Sequence, residues 1–215
     1  MDNAEILQLC KKHGLKITKI KKADNSYNSN VYIIFDNNTK YILKIIKNEK
    51  KRLNEKKYYN YLYDYVKTSK VLYSGIYNDK RYNIISYLEG KNIYDEECNN
   101  LNEEEILNIG KLLGKIHNCK IIDNDSDSWI IYLKDCLNKT HLELNGLFGK
   151  DDNDCINNFL NKYIEKIIIN NYKNCLLHMD FRVGNVIIDE NMNPGIIDLE
   201  SMRNGEYVFD FVKMN

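Results

Sequence analysis

Proline is nearly missing from this chain, with 1 residue in 215, at position 194. Proline-rich linkers and polyproline recognition segments are thereby excluded. The 6 cysteines, at positions 10, 98, 119, 136, 155 and 175, form no C-x-x-C pair and match no histidine spacing. That pattern argues against a zinc site and against a disulfide framework. No apolar run is long enough to span a bilayer, and the start, MDNAEILQLCKKHGLK, carries charges where a signal peptide has its apolar centre. A soluble protein of the reducing cytoplasm is the expectation. Net charge is absent as well, with 31 basic against 31 acidic residues. No overall field draws the chain to nucleic acid or to an anionic membrane, so neither is an expected partner. The basic cluster Lys47–Arg52 reads as the solvated start of a helix.

What is present is concentrated between Leu176 and Glu200, LLHMDFRVGNVIIDENMNPGIIDLE. Asp180 follows His178 by two residues and precedes Asn185 by five, the H-x-D-x-x-x-x-N spacing of a kinase catalytic loop. The apolar runs Val186–Ile188 and Ile196–Ile197 flank Asp189, Asn191, Asn193, Pro194 and Gly195, which supply turn chemistry. The pattern predicts a short hairpin that returns Asp198 to the side of Asn185. In phosphoryl transfer such a set has a purpose. One carboxylate orients the attacking hydroxyl, while an amide oxygen and a second carboxylate hold magnesium on the nucleotide phosphates. Each residue alone has a plainer reading, an Asx turn for an aspartate or a left-handed loop position for an asparagine.

Upstream, Ala4 to Lys12 reads as a short helix and Leu15–Ile20 as a first strand. The polar run Ala23 to Asn30, ADNSYNSN, leads into a strand over Val31–Phe35 and a turn at 36–39. In the partner strand, Tyr41–Ile46, Ile42, Lys44 and Ile46 share one face. Lys44 is there either because that face is exposed or because its ammonium points into a cleft. In the following helix Glu55, Tyr59, Leu62 and Val66 form one stripe, so Glu55 lies on the buried side. Its partner is either Lys44 or a lysine on its own helix. Strands over Val71–Tyr77 and Arg81–Tyr87 complete a five-stranded antiparallel sheet. Tyr87-Leu88-Glu89-Gly90 then has the form of a hinge whose backbone could read a purine edge.

Helices follow. Asn102 and Glu105 form a capping arrangement ahead of the stripe Ile106, Ile109, Leu113 and Ile116. Two more helices are expected over Ser128–Leu144 and Asp154 to Ile169, the second facing inward through Ile156, Phe159 or Leu160, Tyr163 or Ile164, and Ile167. His117 reads as a core or C-terminal helix residue rather than a ligand, and Trp129 as a packing residue.

With strand, lysine, helix glutamate, hinge and catalytic loop in this order, the chain resembles the aminoglycoside phosphotransferase and choline kinase-like family of small-molecule kinases. HMDFRVGN and GIIDLE carry the most specific part of the likeness. The resemblance implies an α+β, bilobal, protein-kinase-like fold: a nucleotide-binding lobe over residues 1–88, and a mainly helical catalytic lobe with the hairpin over 89–215. It implies Asp180 as the catalytic aspartate, Asn185 and Asp198 as magnesium ligands, Lys44 as the phosphate-binding lysine and Glu55 as its partner. It also implies a phosphate-covering loop over 26–30 with Ser26 and Ser29 in place of glycines. Ile42, Ile187 and Ile197 would sandwich the base, with Tyr87 and Leu88 reading its edge. Asp210 would brace the catalytic loop. The family's final helices, which help build the acceptor pocket, are expected to be missing, because the sequence ends at Asn215.

The implied activity is transfer of the γ-phosphoryl group of ATP or GTP, with Mg2+, to a hydroxyl of a small molecule such as an aminoglycoside or amino alcohol. The alternative is a nucleotide-binding pseudokinase scaffold. Against it, Lys44, Asp180, Asn185 and Asp198 are all retained. A protein kinase is disfavoured because LESMRNGEYVFDF is too short for an activation loop and holds no A-P-E.

Overall fold

The computed structural model describes residues 1–23, 30–37, 39–93, 101–120, 126–144, 149–170 and 174–212. Helix α1 (Asn3–Lys12) begins at a capping box, in which Asp2 and Glu5 satisfy each other's backbone donors. It ends at Gly14, whose φ of +76° suits a residue without Cβ. Strands β1 (Ile17–Lys22), β2 (Asn30–Asp36), β3 (Thr39–Ile46), β4 (Val71–Tyr77) and β5 (Lys80–Ser86) form an antiparallel sheet in the order β1-β2-β3-β5-β4. The first strand starts two residues later than expected. Residues 13–15 belong to the helix cap, where the Leu15 N–H bonds the Cys10 carbonyl.

The two-residue period of β3 sorts its side chains between two helices. Leu43 and Ile45 pack with Ile34 and Ile84 under Ile6 and Leu9 of α1. Lys44, on the opposite face, pairs across the ladder with Asn83 of β5 and looks toward α2 (Glu49–Leu62). Burying side chains such as Leu43 and Leu62 contributes about 1.5–3 kcal/mol each; both are fully buried.

After a two-residue strand β6 (Lys91–Asn92) come α3 (Glu103–His117), α4 (Ser126–Leu144) and α5 (Lys150–Asn170). The capping box of Asn102 and Glu105 forms as expected. The inward stripe of α3 differs from the expected one: Ile109, Leu112, Leu113 and Ile116 are buried, whereas Ile106 is exposed in the first turn. In α5, Ile164 is buried and Phe159 is 70% exposed, so Leu160 is the inner of that pair. The Ile167 side chain lies outside the described residues. Trp129 packs, as expected, with Leu133, Ile164 and Leu177.

The chain returns through β7 (Asn174–Leu177), then the hairpin of β8 (Val186–Ile188) and β9 (Pro194–Ile196). It closes with β10 (Arg203–Glu206), which pairs β7, and a single helical turn α6 (Val208–Phe211). One apolar cluster joins α2 and β5 to α3 and this hairpin through Tyr58, Leu62, Ile85, Leu112, Phe181 and Ile196. The sheet and the helical part thus share a core. The segment after α2 is also stitched to β9: Lys67 accepts from the Ile196 N–H at 3.0 Å, and the Thr68 hydroxyl donates to the Ile196 carbonyl at 2.6 Å. Among the described residues no helix is long and apolar enough to cross a membrane.

Candidate active site

The hairpin turn is built by Asp189, whose carboxylate accepts the N–H groups of Asn191 and Asn193 at 2.8 and 2.9 Å. Its other oxygen lies 2.5 Å from the Lys67 ammonium. The lysine, with those backbone donors, holds the Asp189 carboxyl down at about 2. Across the hairpin the Ile197 N–H bonds the Asn185 carbonyl at 3.0 Å, which sets Asp198 beside Asn185 as the spacing predicts.

The loop between β7 and β8 is held from below by Asp210. This fully buried carboxylate accepts the N–H groups of His178 and Met179 at 2.9 and 2.7 Å, and a ring nitrogen of His117 lies 2.9 Å from it. His117 sits at the helix end, as expected, and has a further contact there. It ties the end of α3 to the brace. Burial lowers the pKa of His178, favouring a neutral ring. Nε2–H then donates to the Ile197 carbonyl at 3.0 Å, which leaves Nδ1 to accept the Asp180 N–H at 3.3 Å. One histidine thus links Asp180 to the residue before Asp198.

Asp180 is partly exposed, with 24% of its side chain open to solvent. The Asn185 amide donates to both its carbonyl and its carboxylate, at 2.8 and 3.0 Å. Those bonds turn the amide nitrogen of Asn185 toward Asp180 and leave its oxygen as the atom able to meet a cation. The Arg182 Nε lies 3.3 Å from the same carboxylate.

Lys44 is the centre of the site. Its ammonium lies 2.8 Å from Glu55, 2.5 Å from Asp198 and 3.3 Å from Glu200. The second oxygen of Glu55 accepts the Asn83 amide at 2.7 Å, and the second of Glu200 meets Lys51 at 2.7 Å. Burial alone would lower the Lys44 pKa, but the three carboxylates reverse this and hold it well above the usual lysine range. For Glu55 burial wins and the pKa is raised. For Asp198 burial is outweighed by Lys44, and the pKa is lowered.

Asp198 sits in the left-handed region, at φ 65° and ψ 58°, where a short turn, Leu199–Ser201, begins. Its N–H donates to the Tyr59 hydroxyl at 3.0 Å. Asn54 donates to the carbonyls of Glu200 and Met202, both at 2.9 Å. Sequence patterning singled out none of Glu200, Asn54 and Tyr59 for this work. The available signal was the spacing on α2, where positions 51, 54, 55 and 59 lie on one side of the helix.

The remaining predicted residues surround this cluster unevenly. Ile42 is half-buried on the Lys44 face and packs on the shared core, Ile187 is buried, and Ile197 is half-buried. Tyr87 and Leu88 follow β5 and are half-buried; a Cβ on Gly195 would come within 2.9 Å of Leu88, so the hinge packs closely on the hairpin. Ser26 and Ser29 lie outside the described residues.

A profile of APH, the phosphotransferase enzyme family, matches residues 19–214. The chain belongs to that family. Solved aminoglycoside phosphotransferases share its fold. The gentamicin-APH(2")-IIa complex aligns with a TM-score of 0.70 at 23% identity, over 99% of this chain and 74% of that one. ADP-bound APH(2'')-Ib aligns with a TM-score of 0.70 at 23% identity, over 99% and 75% of the two chains. APH(9)-Ia in complex with ADP and spectinomycin gives 0.62 at 15% identity, over 98% and 72%. Among curated proteins no match is found. As a member of the phosphotransferase enzyme family, the chain is a phosphotransferase.

The donor set fits a hard cation. Glu55, Asp198 and Glu200 offer carboxylate oxygens within 4.8 Å of one another, hard donors of the kind such an ion takes. The ammonium of Lys44 is the positive charge these carboxylates share here.

Proposed function

We propose that this phosphotransferase is a small-molecule kinase that moves the γ-phosphoryl group of ATP or GTP to a hydroxyl. The acceptor class is the aminoglycosides or other amino alcohols, in line with the gentamicin and spectinomycin complexes of the similar structures. The observation that carries this reading is the convergence of Lys44, Glu55 and Asp198, from β3, α2 and the end of the hairpin, at 2.5–2.8 Å. Taking the Lys44 and Glu55 charges out of water is costly, which marks the cluster as a functional site.

In this reading Glu55 aims Lys44 at the nucleotide phosphates, and Asp198 with the Asn185 amide oxygen would hold Mg2+. The metal would supply charge compensation on the phosphates. Ile42, Ile187 and Ile197 bound the base, the backbone of Tyr87 and Leu88 reads its edge, and Ser26 and Ser29 cover the phosphates. Residues 1–88 form the nucleotide-binding lobe and 89–215 the catalytic lobe. Asp180 accepts the proton of the acceptor hydroxyl as the new O–P bond forms and the bond to the leaving β-phosphate oxygen breaks. Its partial exposure suits a group that must meet a second substrate. A cytoplasmic site of action, where ATP and GTP are abundant, belongs to the same proposal.

The test is a nucleotide-consumption screen with aminoglycosides, choline-like alcohols and sugars as acceptors. Consumption that depends on an amino-alcohol acceptor is expected. No acceptor-dependent consumption, together with no stabilisation by magnesium and either nucleotide, would overturn the proposal.

A further inference from the structure

Helix α2 does more than present Glu55. Its side chains Lys51, Asn54 and Tyr59 contact the turn that starts at Asp198, and no two of these contacts do the same thing. Tyr59, almost fully buried, accepts the Asp198 N–H at 3.0 Å. Asn54 holds two successive parts of the turn through the carbonyls of Glu200 and Met202, at 2.9 Å each. Lys51 takes one oxygen of Glu200 at 2.7 Å. The turn needs such support, since Asp198 is held at φ 65°, a region that a side-chain-bearing residue occupies at a cost. Without the phenol oxygen the partly buried Asp198 N–H would lose this partner, a further cost of the same conformation.

We infer that Tyr59 and Asn54 are positioning residues for the metal site: they fix the backbone at Asp198 and in the turn that follows it, so that its carboxylate is presented for magnesium before nucleotide arrives. The inference rests on the reading of Asp198 as a metal ligand. Neither residue reaches the reacting atoms. They act through the Asp198 backbone, as outer partners act on the ligands of a metal. Pre-setting the ligand in this way removes an ordering cost from the binding step. The position of Tyr59 four residues after Glu55 lets a single helix aim the lysine and shape the metal turn together.

The test is calorimetric titration of a non-hydrolysable ATP analogue, with magnesium and again with EDTA, into wild type, Tyr59→Phe, Asn54→Ala and Asp198→Ala. Leu53→Ala, on the exposed side of α2, serves as the control. Tyr59→Phe and Asn54→Ala should weaken binding with magnesium by about 10–100-fold, the usual cost of losing an outer partner of a metal ligand. Binding in EDTA should not change, and Leu53→Ala should match wild type in both. Asn54→Asp, which keeps the shape but cannot donate, should repeat the loss if Asn54→Ala folds poorly. A lowered melting temperature with an unaltered magnesium dependence in Tyr59→Phe and the Asn54 variants overturns the inference while leaving the metal reading intact. Retention of the magnesium dependence by Asp198→Ala overturns both.

Discussion

Lys44 and Asp198 lie 154 positions apart in sequence, yet the lysine ammonium and the aspartate carboxylate are 2.5 Å from each other. The pair joins the sheet to the hairpin. On the proposed reading nucleotide binding would exchange one partner for another on each side, with Lys44 turning to phosphate as Asp198 turns to the metal. The first prediction follows from that exchange. Wild type should be stabilised by magnesium and ATP or GTP, by about 2.7 kcal/mol at a hundredfold excess over the dissociation constant. Asp198→Ala should fold and lose the magnesium-dependent part of the shift. Thermal melts with and without EDTA measure it.

Lys44 compensates three carboxylates at once, so its removal should weaken the fold as well as the activity. Stripping one partner from a buried ionic cluster costs about 3–5 kcal/mol, and Lys44 and Glu55 are both buried. In Lys44→Met the loss should shrink as the pH falls. The sign follows from Glu55, whose carboxyl is already raised by burial and rises further once the lysine is gone. A group with a raised folded pKa contributes stability below its unfolded value, and that stability is lost as the pH rises through the folded value. Denaturant unfolding of Lys44→Met at pH 5 and pH 7 should therefore show the smaller deficit at pH 5.

The Lys67–Asp189 pair behaves in the opposite sense. The Asp189 carboxyl is lowered from 3.8 to about 2, chiefly by Lys67. Its contribution is fully present above about pH 4 and is lost as the pH falls through 2. Asp189→Asn should flatten that part of the acid unfolding curve. The pair is at the surface, so added salt should reduce the difference between the two proteins.

Asp210 holds the catalytic loop by two backbone N–H groups and is itself met by His117. Asp210→Asn offers only one accepting oxygen, so one of those N–H groups loses its partner. Displacing a reacting group by about 1 Å can cost about 10²-fold. Turnover should fall to that extent while nucleotide affinity, measured by calorimetry, holds.

The sequence was a good guide wherever a contact follows from a local period. The two-residue alternation put Lys44 on one face with Ile42 and Ile46, and the helical stripe put Glu55 on the inner side of α2; that the two meet was one of the alternatives the sequence left open. The hairpin that returns Asp198 to Asn185 was legible in its turn residues. The brace at Asp210 came from the resemblance alone and is present. Ile106 was misjudged, and Phe159 or Leu160 left undecided, because an apolar stripe marks a face but not where the neighbouring element ends. Ile106 lies in the first turn of α3, away from the buried residues Ile109 to Ile116. The roles of Tyr59, Asn54 and Glu200 were hidden for another reason. They depend on how close α2 approaches the turn after Asp198, a tertiary distance that no local pattern encodes.

The account stands or falls on Asp180, which accepts the Asn185 amide and keeps 24% of its side chain open to solvent. The direct measurement is turnover and nucleotide affinity of Asp180→Asn with an acceptor found in the screen. Loss of the proton acceptor should lower turnover by about 10²–10⁴-fold, with nucleotide affinity unchanged. Near-wild-type turnover in Asp180→Asn, or loss of nucleotide binding as complete as in Asp198→Ala, would contradict it.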